Sequence, residues 1–223
     1  MTVWALIPVK PFAVAKSRLS SVLGAEQRAK LAEAMLCDTL ATVRADERVA
    51  GICVVTSDPQ AAFIAGRHGA RVLDDTVGEL NDALEAGRSW VKGQVRCAPL
   101  LVLPTDLPTF RPYDLDKLLK RLSSPRSVVI AAAHDGDGTN AILLGERAEM
   151  PFAFGPGSFF RHLAIAETKG LKVETLQLDG IARDLDRPED IAPILARTST
   201  GKAASLLLEA FGLARLSETM GAL

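Results

Sequence analysis

No uninterrupted apolar run in this sequence approaches the roughly 20 residues needed to span a bilayer. The opening run, Thr2 to Val9, is too short for a secretory h-region and passes through Pro8-Val9-Lys10 with no small-residue cleavage site, so a cytoplasmic protein is expected. Cysteine is scarce: Cys37, Cys53 and Cys97 are an odd, scattered set without CxxC spacing. Zinc is therefore not indicated, and the thiols read as reduced and mostly buried. Positive charge is not in excess, since 26 Lys and Arg against 27 Asp and Glu leave a net charge of −1. That argues against a generic nucleic-acid binder, although a locally basic pocket remains compatible with it. None of the three histidines pairs with a Ser or Cys and a carboxylate in an arrangement that supports a triad. His68 near a helix end and His134 in a loop read as surface residues. For His162, one turn into a helix, both a packing role and an anion contact fit. Repeats and low-complexity linkers are also missing.

What is present is the balance of an ordinary globular protein, 48% apolar and 24% charged, over 223 residues. That length favours one α/β domain over two small ones. Short β-type runs at Val3 to Ile7, Ile52 to Val55, Leu100 to Leu103, Val128 to Ala131 and Ala141 to Leu144 alternate with helical patterns. Near-continuous apolar strands of this kind suit a sheet buried on both faces. Ala32, Met35, Leu36, Thr39, Leu40 and Val43 share one helix face, which completes a β-α-β unit. Asp58-Pro59 predicts the start of a helix running to about Arg67, with Asp as cap and Pro at the first position. A short strand over Gly69 to Leu73 and a helix over Glu79 to Val91 follow. The sum is a mostly parallel, doubly wound α/β sheet. The main unit is expected over residues 1–197. Beyond it, Thr198-Ser199-Thr200-Gly201 reads as a hinge into an apolar tail over 198–223, with Leu206, Leu207, Leu208, Phe211, Leu213 and Leu216 predicting a docked helix.

In open α/β sheets ligands bind beyond the carboxyl ends of the strands, so the chemistry is sought there. After the first strand, Pro8 to Leu19 carries Lys10, Lys16 and Arg18 and no glycine, so it is neither a Walker loop nor GxGxxG. The three cations can offset a triphosphate, or the loop can be basic and merely solvated. Pro104-Thr105-Asp106-Leu107-Pro108 grips an acid between two prolines, which suits a metal ligand and equally a strand-ending turn. Asp184 and Asp186 stand two apart, so in an extended segment both carboxylates point to one side and can share a hard cation. Helix capping competes as an explanation, but Pro188 makes Arg187 the cap and leaves Glu189 and Asp190 for the helix dipole. Gly138-Thr139-Asn140 and Phe154-Gly155-Pro156-Gly157-Ser158 are anion-site candidates or ordinary turns, Ser158 opening a helix to about Thr168.

Taken in order over about residues 3 to 195, Leu6 to Lys10 with Ala15 to Leu19, Leu80-Asn81-Asp82-Ala83-Leu84, Pro104 to Pro108, Gly138 to Asn140, Phe154 to Ser158 and Asp184-Leu185-Asp186 resemble the 2-phospho-L-lactate guanylyltransferase family. The resemblance implies a nucleotidyltransferase domain akin to the glycosyltransferase A fold, working in coenzyme F-420 biosynthesis. It implies GTP as donor and 2-phospho-L-lactate, phosphoenolpyruvate or 3-phospho-D-glycerate as acceptor. By the same carry-over, Asp106, Asp184 and Asp186 hold magnesium, two ions being expected. Pro8, Val9, Lys10, Lys16, Arg18 and Asn81 bind GTP, with Lys16 and Asp106 as catalytic residues, and Thr139, Gly155 and Ser158 bind the acid. The family reading leaves room for a homodimer and for a downstream transferase that accepts the unstable product. Thr105, where many relatives carry Gly or Ser, and Arg187, in place of a more usual Thr cap, depart from the pattern. A molybdenum-cofactor guanylyltransferase, a glycosyltransferase and a non-catalytic nucleotide-binding protein are the competing readings. A glycosyltransferase would carry DxD after a central strand, where this chain has a lone Asp106.

Overall fold

The apolar runs become the centre of one seven-stranded sheet in a computed structural model that describes residues 2–197 and 200–220, with side chains described as far as Phe211. The strands are β1 (Val3–Pro8), β2 (Val49–Thr56), β3 (Arg71–Asp74), β4 (Leu100–Val102), β5 (Ser127–Ala132), β6 (Thr139–Leu144) and β7 (Lys172–Leu176). They lie in the order β3-β2-β1-β4-β6-β5-β7. Only β6 runs against its neighbours, pairing antiparallel with both β4 and β5. Its first residue, Thr139, consequently sits beside Ala132 at the carboxyl end of β5. That reversal brings the start of β6 to the edge where ligands are expected.

Strand β7 was not anticipated from the sequence. Among its residues Lys172, Val173, Glu174, Thr175 and Leu176 only Val173 and Leu176 are apolar, and none is fully buried. An edge strand covered on one side carries no continuous apolar run, so it lacks the signature that marks the central strands.

The helices are α1 (Ala25–Arg44), α2 (Pro59–Arg67), α3 (Leu80–Gln94), α4 (Pro112–Arg121), α5 (Ser158–Thr168), α6 (Asp179–Ala182), α7 (Pro188–Leu195) and α8 (Lys202–Met220). Because side chains alternate along a strand, Ala5 and Ile7 face one core while Leu6 faces the other. Leu36 and Leu40 of α1, Ile64 of α2 and Leu115 and Leu118 of α4 fill the first core. Leu84 of α3 and Ala166 of α5 cover the second. Each large side chain buried this way contributes roughly 1.5–3 kcal/mol. Close approach of α3 depends on Gly87, where a Cβ would collide with Leu6 and Val55.

Helix α8 rests on α1. The N–H groups of Lys202 and Ala203 each donate to the Asp38 carboxylate at 3.0 Å, and Ala203, Ala204 and Leu207 are buried. Gly201, with φ of 101°, makes the turn into it. Thr198 and Ser199 of the expected hinge, and the side chains of Leu213 and Leu216, lie outside the described residues. Among the described residues no helix is long and apolar enough to cross a membrane.

Candidate active site

The acidic residues converge because three segments are tied together at the carboxyl edge of the sheet. Asp106 follows β4, and its carbonyl accepts the Leu185 N–H at 2.9 Å. Just before Leu185, α6 is held in place by Asn140, whose Nδ2 donates to the carbonyls of Ile181 at 2.7 Å and Ala182 at 3.1 Å. The Thr109 hydroxyl donates to the Gly180 carbonyl at 3.1 Å, and a Cβ on Gly180 would collide with the Asp114 carboxylate. Leu185 is fully buried, so Asp184 and Asp186, on either side of it, turn away from the core together. One oxygen from each of Asp106, Asp184 and Asp186 lies within 4.8 Å of the others. Three carboxylates at this spacing offer the hard oxygen ligands that magnesium takes. Asp190 is occupied otherwise, its Oδ2 accepting the N–H groups of Asp186 at 3.0 Å and Arg187 at 2.7 Å. The capping work thus falls on the later acid and leaves the earlier pair open.

Lys16 reaches into this cluster. Its Nζ lies 2.9 Å from Asp186 Oδ1 and 3.3 Å from Asp106 Oδ2. Burial works against the ammonium, but the charges and hydrogen bonds of Asp106 and Asp186 outweigh it and hold Lys16 above its ordinary value. Burial, then the charges of Asp106 and Asp186, push Asp184 above the usual carboxylate range. Burial would raise Asp186 too, yet Lys16 and then Arg18 bring it below that range.

The loop that delivers Lys16 is pinned by a residue just beyond the next strand, 46 positions from Phe12. Asp58 caps α2 by accepting from Gln60 and Ala61 through Oδ1, and its Oδ2 accepts the Phe12 N–H at 2.7 Å. Lys16 itself adopts φ of 53°, a left-handed conformation that costs a non-glycine residue of the order of 1–3 kcal/mol. Pro8 ends β1 and the buried Val9 follows it into this loop, the Val9 N–H donating to the Val55 carbonyl at 2.9 Å. Lys10 and Arg18 are exposed, and Arg18 stands 3.4 Å from Asp186.

The second cluster lies at the start of β6 and α5. Ser158 Oγ accepts the Thr139 N–H at 2.9 Å, and Thr139 Oγ1 lies 3.0 Å from His162 Nδ1. His162 Nε2 accepts the Ala153 N–H at 2.9 Å. All three side chains are buried. Gly155 holds φ of 118°, a conformation open to glycine, in the turn before α5. Asn81 spends its amide on the same turn, accepting the Phe154 N–H at 2.8 Å and donating to the Phe154 carbonyl at 3.2 Å. The residue expected to face GTP therefore shapes the Gly155 loop.

From the sequence, the α5 N-terminus is either an anion site with free N–H groups or an ordinary capping turn. In the structure the Gly157 N–H donates to Asp137 Oδ2 at 2.7 Å, the Phe159 N–H to the Asp137 carbonyl at 2.9 Å, and the Ser158 N–H to the Gly155 carbonyl at 3.0 Å. Asp137 supplies the cap from 20 residues upstream, which no local pattern announces. Three of the first N–H groups of the helix end are thus already engaged, beside the Thr139 and Ser158 hydroxyl groups.

Sequence reasoning also passed over Arg161, whose guanidinium is anchored on the Ala153 carbonyl at 2.8 Å beside Gly155. His134 is exposed as expected, and His68 is half-buried at the end of α2. Cys37 and Cys53 are buried, whereas Cys97 is exposed. A cleft of about 600 Å³ lies at the opposite end of the sheet, against Leu100 and Leu144, and is lined by cations including Arg126 and Lys169. It contains none of the residues expected from the sequence and no clustered carboxylates, so volume and chemistry point to different places. The chemistry decides, because among the described residues only the carboxyl edge combines a carboxylate trio with a lysine drawn into it.

Comparison with known proteins gives the family and the fold. The family model described as guanylyl transferase CofC like matches residues 3–217. The chain is 39% identical over 88% of its length to a phosphoenolpyruvate guanylyltransferase from Rubrobacter xylanophilus, covering 95% of that protein. It is 35% identical over 92% of its length to a 3-phospho-D-glycerate guanylyltransferase from Phenylobacterium zucineum, covering 94% of that protein. In fold it is similar to a proposed nucleotide-diphospho-sugar transferase from Desulfovibrio desulfuricans G20, with a TM-score of 0.80 at 17% identity over 97% of this chain and 98% of that one. It is also similar to a 4-diphosphocytidyl-2C-methyl-D-erythritol synthase, with a TM-score of 0.62 at 15% identity over 86% of this chain and 96% of that one. The sheet is thus that of the glycosyltransferase A-like nucleotidyltransferases, and the chain belongs to the CofC-like guanylyl transferase family.

Proposed function

We propose that this protein transfers GMP from GTP to the phosphate of a three-carbon phospho-acid, releasing pyrophosphate, as a step toward coenzyme F-420. An oxygen of the acceptor phosphate attacks the α-phosphorus, a new P–O–P bond forms, and the bond from the α-phosphorus to the bridging oxygen of pyrophosphate breaks. The attacking phosphate is already ionised at neutral pH. No strong base is required, and catalysis rests on positioning and charge neutralisation. This accords with an edge where carboxylates and cations gather, while His162 spends its ring nitrogens on Thr139 and on the Ala153 N–H.

The observation that carries the reading is the meeting of Lys16 with Asp106 and Asp186 at the sheet edge. In this assignment Asp106, Asp184 and Asp186 hold magnesium, which when bound offsets charge on the reacting phosphates. Lys16 contributes a buried positive charge whose position is set by two carboxylates, and Lys10 and Arg18 extend the positive potential along the triphosphate. Pro8 and Val9 form the wall at the end of β1. Asn81 acts through the Phe154 backbone. Thr139, Gly155 and Ser158 receive the acid.

Among acids, 3-phospho-D-glycerate and phosphoenolpyruvate are placed ahead of 2-phospho-L-lactate, in keeping with the names of the Rubrobacter and Phenylobacterium relatives. The test is competition among the three acids at equal concentration with limiting GTP, read by mass spectrometry of the guanosine diphospho-products. A dominant 2-phospho-L-lactate product would overturn the ranking. Absence of product and of pyrophosphate with all three would overturn the function.

A further inference from the structure

We infer that His162 is a positioning residue, which by its tautomer forces the hydroxyl group of Thr139 to act as a donor toward the bound acid. The inference rests on the acceptor assignment just given and adds to it a residue that does not touch the substrate.

The argument is a count of protons. A backbone N–H can only donate, so the 2.9 Å bond from the Ala153 N–H requires His162 Nε2 to be an unprotonated acceptor. A neutral imidazole carries one N–H, which then stands on Nδ1 and donates to Thr139 Oγ1 at 3.0 Å. Burial, with a smaller contribution from the Arg161 charge, pushes His162 down to about 4, so the ring is neutral in ordinary buffers. Its position is held by Phe154, whose ring meets the imidazole edge-on at 5.0 Å.

Thr139 Oγ1 has thereby received its donor, and its own O–H must find an acceptor elsewhere. The same holds next door, because Ser158 Oγ has received the Thr139 N–H at 2.9 Å. Among the described residues neither hydroxyl proton has a protein acceptor within hydrogen-bonding distance. Both groups are buried, with Thr139 6% and Ser158 2% exposed. A buried hydroxyl without an acceptor is costly. Two of them, aligned by one chain of bonds from Ala153 through His162 and Thr139 to Ser158, form a pair of donors of fixed sense. A carboxylate or phosphate oxygen is the acceptor-only group that such a pair fits. The opposite tautomer would turn Thr139 into a donor toward histidine and remove it from the ligand.

Two measurements test this. Imidazole 15N spectra of the labelled full-length protein at neutral pH are expected to show His162 with a protonated Nδ1 and a bare Nε2. A proton on Nε2 would overturn the inference. In steady-state assays His162→Phe is expected to raise KM for phosphoenolpyruvate and for 3-phospho-D-glycerate roughly ten- to a hundredfold, leaving KM for GTP within about twofold. His162→Asn, which keeps an amide donor near the Nδ1 position, is expected to recover part of that loss. An unchanged acid KM in folded His162→Phe, or equal rises in both KM values, would overturn it. If the Phe variant does not fold, the spectra and the Asn variant still decide. Failure of the unaltered protein to guanylylate any acid would sink the functional reading above, while the tautomer would be read independently.

Discussion

Asp184 carries the electrostatic conflict of the site. Its carboxyl is raised by burial and by the neighbouring charges of Asp106 and Asp186, whereas Asp186 is lowered, against its burial, by Lys16 and Arg18. The signs have opposite consequences for stability. A folded-state value above the unfolded one means that Asp184 favours folding when protonated and costs stability as pH rises through the ordinary carboxylate range to its raised value. Asp186 contributes stability above its unfolded value and loses it as pH falls through its lowered folded value. Asp184→Asn is therefore expected to raise the melting temperature at neutral pH in chelator, while Asp186→Asn lowers it. Asp106→Asn, Asp184→Asn and Asp186→Asn are each expected to reduce turnover at least about a hundredfold. Near-normal turnover at saturating magnesium in all three would refute the metal assignment, and equal melting shifts for Asp184 and Asp186 would refute the electrostatics. The alternation around Leu185 was legible in the chain. The partners of Lys16 were not, because Asp106 and Asp186 lie 90 and 170 residues further along the chain.

Among the elements, those with a local signature were the readable ones. Asp58-Pro59 opens α2 as a cap followed by proline should, and Arg187-Pro188 opens α7. Strand β7 and the α5 cap were missed, the first because an edge strand lacks an apolar run, the second because its capping carboxylate, Asp137, belongs to another loop. Helix α8 poses the same problem, since the carboxylate that receives its first N–H groups is Asp38, in the middle of α1. Asp38→Ala is expected to cost about 1 kcal/mol, as loss of a capping side chain does. Truncation after Arg197 is expected to lower the melting temperature further and to alter elution or solubility, because the α1 surface under Ala203 and Leu207 becomes exposed. Unchanged melting and elution after truncation would show that α8 adds nothing to the rest of the chain.

For the whole molecule, what matters is that one antiparallel strand reverses within an otherwise parallel sheet. It brings Thr139 to the edge that already carries Pro8 and Asp106, so that donor and acceptor substrates can be held on a common side. A cation bound there only by the folded state must stabilise it. Magnesium added to chelator-treated protein is expected to raise the melting temperature, and the rise is expected to vanish in Asp106→Asn. A shift of equal size in that variant would place the ion elsewhere. The doubly wound α/β class, the strands buried on both faces, the direction shared by Asp184 and Asp186, and the family are legible in the chain alone. Each of these depends on residues adjacent in the chain, where backbone periodicity and proline stiffness act, or on an ordered set of short motifs. Tertiary structure alone decided that Lys16 lies between Asp106 and Asp186, that Asn81 supports Phe154, and that His162 orients Thr139. Those contacts join residues far apart along the chain, and nothing in local periodicity encodes which distant partner a side chain meets once the sheet has assembled.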